Sequence, residues 1–332
     1  MEVNDHPLIM QHSAEELFSL YEQKFSIKDF DFEPAGLYEP VKHIMSIPGK
    51  RIRPTLLMMS CELFGGKVED ALEAAFAMEI FHNFTLVHDD IMDKADIRRG
   101  KPTVHKVYGI NAGILAGDVM LSYAYKYLCK MPTRYLAEAL EVFNQTSIEI
   151  YEGQQLDVDF ETRMDVTVEE YLKMIKFKTS VLLAGSMQIG AIIANASKAD
   201  QLKIYQFGLD LGLSFQIKDD FLDTFGEGAK VGKRIGGDIL NNKKTFLLIN
   251  TLLAVQGEDK THLLQLLDET EEQKKIDGVV AIMRKYGIVE STCDKIEELY
   301  TSSLGHLESI SVDNTQKEIL RVMAEKVHNR DY

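Results

Sequence analysis

Apolar residues recur at three- and four-residue spacing through 70–92, 111–130, 134–160, 167–196, 199–225, 243–255 and 288–306. That is the period of a helix face, not the alternation of a half-buried strand. Several runs open on capping residues: Asp70, Asn111, Thr167 with Glu170 three positions on, and Asp313. Prolines are sparse, and strand signals are few and short. The pattern predicts an all-α protein of roughly ten or more helices, some long for a globular chain. Helices that are apolar on most faces belong in the middle of a single large bundle. No Pro/Ser-rich linker, low-complexity tract or fixed repeat divides the sequence, so residues 1–332 are read as one domain.

With 332 residues, 45% of them hydrophobic, the chain can build a large core. Its net charge of −15 sets it against nucleic-acid phosphates and anionic membranes. No nucleic-acid partner is expected, and a phosphorylated ligand would need cations gathered locally. No apolar run reaches the roughly 18 residues of a membrane span, so no transmembrane segment is expected. The start, MEVNDHPLIMQHSAEELF, lacks the basic and apolar regions of a signal peptide. Cys61, Cys129 and Cys293 lie far apart without metal-ligand spacing, the pattern of reduced thiols in a cytoplasmic protein.

Against this background the chemistry stands out. Asp89, Asp90 and Asp93 form DDIMD, and Asp219, Asp220 and Asp223 form DDFLD. On a helix, positions four apart share a face, so Asp89 can align with Asp93 and Asp219 with Asp223. Each motif ends an apolar helical run, where the negative end of the helix dipole makes clustered carboxylates costly unless a cation joins them. Oxygen-only ligands suit Mg²⁺, which commonly bridges to phosphates. A solvated acidic helix end is the competing reading, weakened by the second copy; the alternating pattern of an EF-hand is missing.

Cations cluster beside Gly and Pro: Lys50, Arg51 and Arg53 in SIPGKRIRP, Arg98 and Arg99 after the first motif, Lys178 in IKFKTS, and Lys233, Arg234, Lys243 and Lys244 in FGEGAKVGKRIGGDILNNKK. Arg and Lys bind phosphate through charge-assisted hydrogen bonds. The glycine-rich stretch 225–244 reads as a mobile flap.

GKRIRP, HNFTLVHDDIMD followed by RRG, EGQQLDV, FKTS, FQIKDDFLD and GKRIGGDILNNKKT, in this order across residues 40–250, resemble the trans-isoprenyl diphosphate synthases, also called polyprenyl synthetases. The resemblance implies a homodimeric all-α bundle with a deep central cavity. There Mg²⁺, three ions with substrate bound, holds an allylic diphosphate between the aspartate motifs, and isopentenyl diphosphate binds on a basic patch. By this match Asp89, Asp93 and Asp219 are the main metal ligands, with Asp90, Asp157, Asp220 and Asp223 supporting. Arg98, Lys178, Lys233 and Lys243 resemble the cations for the allylic diphosphate. Lys50, Arg53, His82 and Arg99 resemble the isopentenyl diphosphate site. Thr179 and Gln216 resemble polar groups near the reacting centre, and Gln154 with Asp157 a polar pair lining the cavity. The last 80 or so residues carry no diagnostic motif.

In the family, bulky residues shortly before the first motif close the chain pocket. Phe84 lies five residues before Asp89, roughly 7.5 Å down the helix, with Thr85 beside it and Phe81 one turn deeper. A bulky residue with a small neighbour resembles archaeal-type geranylgeranyl diphosphate synthases, so a twenty-carbon product is expected and fifteen carbons next. A class I terpene cyclase and a non-catalytic subunit of a heteromeric synthase are the alternatives. The first usually keeps one DDxxD, the second tends to lose a motif, and this chain retains both.

Overall fold

The computed structural model describes residues 12–226 and 236–329. They form helices joined by short connections and one two-stranded hairpin, as the periodicity predicts. The chain groups into two compact units. The first comprises Met1–Asn144, Gly185–Tyr205 and Ile310–Leu320, and the second Gln145–Ala184, Gln206–Ser309 and Arg321–Tyr332.

In the first unit lie α1 (Ala14–Lys24), α2 (Ala35–Ser46), α3 (Ile52–Leu63), α4 (Val68–Met92), α5 (Val104–Tyr108) and α6 (Ile110–Leu128). Pro54 sits in the first turn of α3, where a missing N–H costs nothing, and every residue from there to Leu63 is buried. α4 runs 25 residues without Gly or Pro; Ala71, Ala74, Ala75 and Ala77 give it high intrinsic helicity. It packs against α3 and α6. Phe25 stacks on Phe76 at 4.0 Å and Tyr127 meets Phe76 edge-on at 4.6 Å. Each such side chain contributes roughly 1.5–3 kcal/mol by leaving water. Two predicted caps shift: α4 begins at Val68 and α6 at Ile110, so Asp70 and Asn111 lie inside their first turns. Burial of the apolar faces decides these starts, and Asp70 still faces the positive end of its helix dipole.

The second unit holds the end of α7 (Thr133–Glu161), α8 (Val168–Ile175), most of α10 (Lys198–Phe225) and the helices Phe246–Ala254, Gly257–Leu267, Glu272–Lys285 and Ile288–Glu308. Thr167 and Glu170 make the expected capping box for α8. The predicted helix over 167–196 is broken, however. Lys176–Ser180 widens into a π-turn before α9 (Val181–Ile193) resumes. One core joins Tyr171, Ile217, Phe246, Ile249 and Ile296. The other joins Leu247, Leu263, Val279 and Met283, which gives the motif-poor C-terminal stretch a packing role. Among the described residues no helix is long and apolar enough to cross a membrane.

Candidate active site

α4 carries the first aspartate motif at its C-terminal end. Asp93 is the C-cap, and its N–H donates to the Asp89 carbonyl at 2.8 Å. Asp93 is exposed, Asp89 half-buried and Asp90 buried. Arg98 answers Asp90: its Nε donates to both carboxylate oxygens at 2.9 Å, and its Nη2 to Oδ1 at 2.7 Å. The same Nη2 lies 3.5 Å from Asp89 Oδ2. Burial lifts the Asp90 carboxyl above its ordinary range while Arg98 draws it back. Three hydrogen bonds from two donors of a guanidinium that does not deprotonate favour its ionised form.

Arg98 arrives on β1 (Ile97–Arg98), which pairs with β2 (Lys101–Pro102). Between them Arg99 and Gly100 turn with φ of 50° and 75°, the left-handed pair that a two-residue hairpin turn requires. Glycine adopts it freely, whereas Arg99 does so at a cost of roughly 1–2 kcal/mol. Strain of this kind clusters where it positions function.

The loop before α3 supplies cations with different tasks. Arg51 turns inward: Nη1 donates to Glu79 Oε1 at 2.5 Å and Nη2 to the Met45 carbonyl at 3.0 Å. Asn83 Nδ2 donates to the same Glu79 oxygen at 3.0 Å, closing a buried network that fixes the loop. Arg53 donates from Nη1 to His82 Nε2 at 3.2 Å, and its Nε is buried without a hydrogen-bond partner. Burial, then the Arg99 charge, hold the Arg53 guanidinium down at about 10 against the pull of Glu79. Burial, then Arg53 and Arg99, hold the His82 imidazole well below its ordinary range. His82 is therefore neutral near pH 7, with its proton on Nδ1. Lys50 lies exposed at the edge. On a chain of charge −15, this local surplus of partly desolvated positive charge is chemically suited to an anion.

In the second unit α10 carries the second motif. Asp220 is buried, and neutral donors hold it: Tyr171 OH to Oδ2 at 2.7 Å and Gln216 Nε2 to Oδ1 at 3.0 Å. Thr179 Oγ1 donates to Gln216 Oε1 at 3.1 Å. Burial pushes the Asp220 carboxyl up to about 7, with Lys243 pulling the other way. Asp223 accepts the Asp238 N–H at 2.8 Å, and Lys243 Nζ lies 3.8 Å from Asp238. Lys178, on the π-turn, pairs with Asp157 at 2.5 Å. π-turns are frequent at functional sites, and two glycines accommodate this one. A Cβ on Gly153 would stand 2.8 Å from Phe177 Cβ, and one on Gly212 2.8 Å from the Ser180 Cα.

Most of the residues read from the sequence therefore gather in local groups: Asp89, Asp90, Asp93 and Arg98; Arg53, His82 and Arg99; Thr179, Gln216 and Asp220. Arg98 and Lys178, expected as phosphate cations, already carry a carboxylate each, and Asp157 serves Lys178. Gln154 is half-buried, three residues before Asp157 on α7. Lys233 and Arg234, with most of the predicted flap, lie outside the described residues. Phe81 and Phe84 are buried, their rings 5.5 Å apart; Thr85 is half-buried, and its Oγ1 donates to the His82 carbonyl at 2.8 Å. Sequence reasoning missed Glu79, Asn83, Tyr171 and Asp238. Glu79, a lone charge within AMEIF, gave a usable signal; Tyr171 gave none.

Among the described residues no three carboxylate, imidazole or thiol groups converge into a metal cage. The donor set of outer carboxylates at helix ends suits Mg²⁺, which takes one or two carboxylates and completes its shell with phosphate oxygens and water.

The polyprenyl synthetase family model matches residues 34–283. A geranylgeranyl diphosphate synthase of Sulfolobus acidocaldarius is 39% identical over 280 residues, 83% of this chain and 84% of that protein. A crystal structure of a geranylgeranyl pyrophosphate synthase aligns with a TM-score of 0.91 and 42% identity, covering 97% of this chain and all of that one. The geranylgeranyl pyrophosphate synthase of Corynebacterium glutamicum, solved with isoprenyl diphosphate and magnesium, aligns with a TM-score of 0.82 and 28% identity, covering 96% and 97%.

Proposed function

The chain belongs to the polyprenyl synthetase family and is a prenyltransferase, and from that premise we propose that it condenses isopentenyl diphosphate with an allylic diphosphate, head to tail, to give geranylgeranyl diphosphate. The observation that carries the reading is the pair of cations Arg53 and Arg99 gathered around neutral, half-buried His82 near an aspartate-ended helix. A terpene cyclase, which ionises one diphosphate and uses no isopentenyl diphosphate, has no need of that second anion site.

In this reading the diphosphate of isopentenyl diphosphate sits against Arg53, Arg99 and Lys50. Neutral His82 donates from Nδ1 and fixes orientation without adding charge. Asp89, Asp93 and Asp219 would hold Mg²⁺, three ions once substrate is bound, and the metal would supply charge stabilisation to the departing allylic diphosphate. Asp90 acts through Arg98, keeping one edge of the guanidinium fixed so that Nη1 meets the anion. Lys178, Lys243 and Lys233 add positive charge, and Asp157, Asp220 and Asp223 support their neighbours. Thr179, Gln216 and Gln154 offer polar groups beside the reacting carbons. The alkene attacks the ionised allylic carbon, and the proton then lost passes to the departing diphosphate. Phe84, backed by Phe81 and with Thr85 alongside, forms the floor that ends elongation.

Residues 1–332 act as one catalytic domain, since the family match runs through both units. The enzyme works as a homodimer in the cytoplasm; the exposed apolar Ile110, Ile114 and Leu115 of α6 favour a second copy as partner.

Product analysis tests the proposal. Purified protein is given Mg²⁺, isopentenyl diphosphate and, separately, five-, ten- and fifteen-carbon allylic diphosphates, with chain length read by mass spectrometry. A twenty-carbon product is expected. A fifteen-carbon stop keeps the reaction and moves the floor upward. Thirty carbons or more removes Phe84 as the floor. Cyclic hydrocarbon overturns the reading in favour of a cyclase, and no turnover without a partner chain in favour of a regulatory subunit.

A further inference from the structure

Phe84 is gripped from two sides along α4. Phe81 lies 5.5 Å away, and it is itself backed edge-on by Phe143 at 5.0 Å. On the other side His88 meets the Phe84 ring at 4.9 Å and 70°. A notch in α6 holds that imidazole. His88 Nε2–H donates to the Ile114 carbonyl at 3.1 Å, although that carbonyl lies inside a helix. The ring reaches it because the residue three positions on is Gly117. A Cβ there would stand 2.9 Å from Cε1 of the imidazole and nearer still to Nε2 and Cδ2. Any side chain at 117 therefore displaces the imidazole.

We propose that His88, seated in the Gly117 notch, is a positioning residue for product length, holding the Phe84 ring in the orientation that closes the chain pocket. The inference rests on Phe84 being the floor. A phenyl ring free on one side rotates out of the path of a growing apolar chain, because staggered side-chain states interconvert readily once contacts are lost. With Phe81 on one flank and His88 on the other, rotation is blocked both ways, and the limit is set by a hydrogen bond to the neighbouring helix as well as by bulk. The sequence offered no hint of this: His88 read only as the residue before the first aspartate.

The test compares the product spectra of the parent, Gly117→Ala, His88→Ala, Phe84→Ala and each double variant with Phe84→Ala, using Mg²⁺, isopentenyl diphosphate and the fifteen-carbon allylic diphosphate. Both single notch variants are expected to raise the share of products longer than the parent's several-fold. Neither is expected to add a further rise in the Phe84→Ala background, since both act through that ring. His88→Ala empties the notch without adding bulk and carries the test alone if Gly117→Ala does not fold. If Phe84→Ala lengthens the product while the notch variants leave the spectrum unchanged, this inference falls and the floor stands. Equal lengthening by the notch variants with and without Phe84 overturns the route through the ring. An unchanged spectrum from Phe84→Ala overturns the floor and this inference together.

Discussion

Asp90 and Asp220 hold the same place in two motifs of the same D-D-x-x-D spacing, and both are buried, at 1% and 3% exposure. Their surroundings differ in kind. Asp90 meets a guanidinium through three short hydrogen bonds and stays ionised. Asp220 meets a phenol and an amide, both neutral, and its carboxyl is pushed up to about 7. The repeated spacing is thus the same in both copies, while the charge of the middle carboxylate is set by the partners it meets, Arg98 eight residues on for Asp90, Gln216 and the distant Tyr171 for Asp220. Arg98 counters the burial that lifts the Asp90 carboxyl, whereas burial among neutral donors pushes the Asp220 carboxyl up to about 7.

The comparison breaks most visibly at the outer carboxylates. Asp89→Ala with Asp93→Ala, and separately Asp219→Ala, are expected to cut turnover by about 10²–10³-fold or more, the scale for removing charge stabilisation of a leaving group. Thermal melting of the metal-free protein is expected to stay within about 0.5 kcal/mol of the parent, as for exposed or half-exposed substitutions. Full activity in either variant would remove that motif from metal binding, and unfolding in both would make the outer positions structural.

Next in size is Arg98→Met. It leaves Asp90 charged, buried and unpaired, which costs roughly 3–5 kcal/mol, read as a drop in the urea midpoint. Adding Asp90→Asn is expected to restore much of the loss, because the penalty belongs to the orphaned charge. If Arg98→Met melts like the parent, Asp90 is not held as a carboxylate and the two motifs are alike after all.

These expectations separate what the sequence could carry from what it could not. Helix periodicity and the two aspartate motifs are local, and the periodicity matches the observed α4 and α10 to within two residues at each end. The break at Lys176–Ser180 was hidden, since KFKTS contains neither Gly nor Pro to mark it, and the glycines that leave room for it, Gly153 and Gly212, lie on other helices. Arg98 and Lys178 read as phosphate cations because their partners, Asp90 and Asp157, were themselves assigned as supporting metal ligands. The hold of Tyr171 on Asp220 spans 49 positions, and no spacing rule links a buried tyrosine to a distant aspartate.

The finest test concerns pH. The folded Asp220 carboxyl titrates near 7, above its ordinary 3.8, so between those values the folded chain keeps a proton that the unfolded chain releases. Stability then falls as pH rises from about 4 to about 7 and levels off above. Urea midpoints of the metal-free protein across that window should show the slope, and Asp220→Asn should flatten it; a bound cation would hold the carboxylate ionised and mask the effect. Tyr171→Phe works the same equilibrium from the other side. The phenol draws the Asp220 midpoint down by donating to the charged form, so its removal should move the midpoint above 7. The added cost should be about 1.5–3 kcal/mol where Asp220 is ionised, and closer to 0.5–1.5 kcal/mol below pH 4, where the phenol meets only a neutral acid. An unchanged slope in Asp220→Asn would mean that Asp220 is as firmly ionised as Asp90, and that burial against neutral donors does not distinguish the second motif from the first.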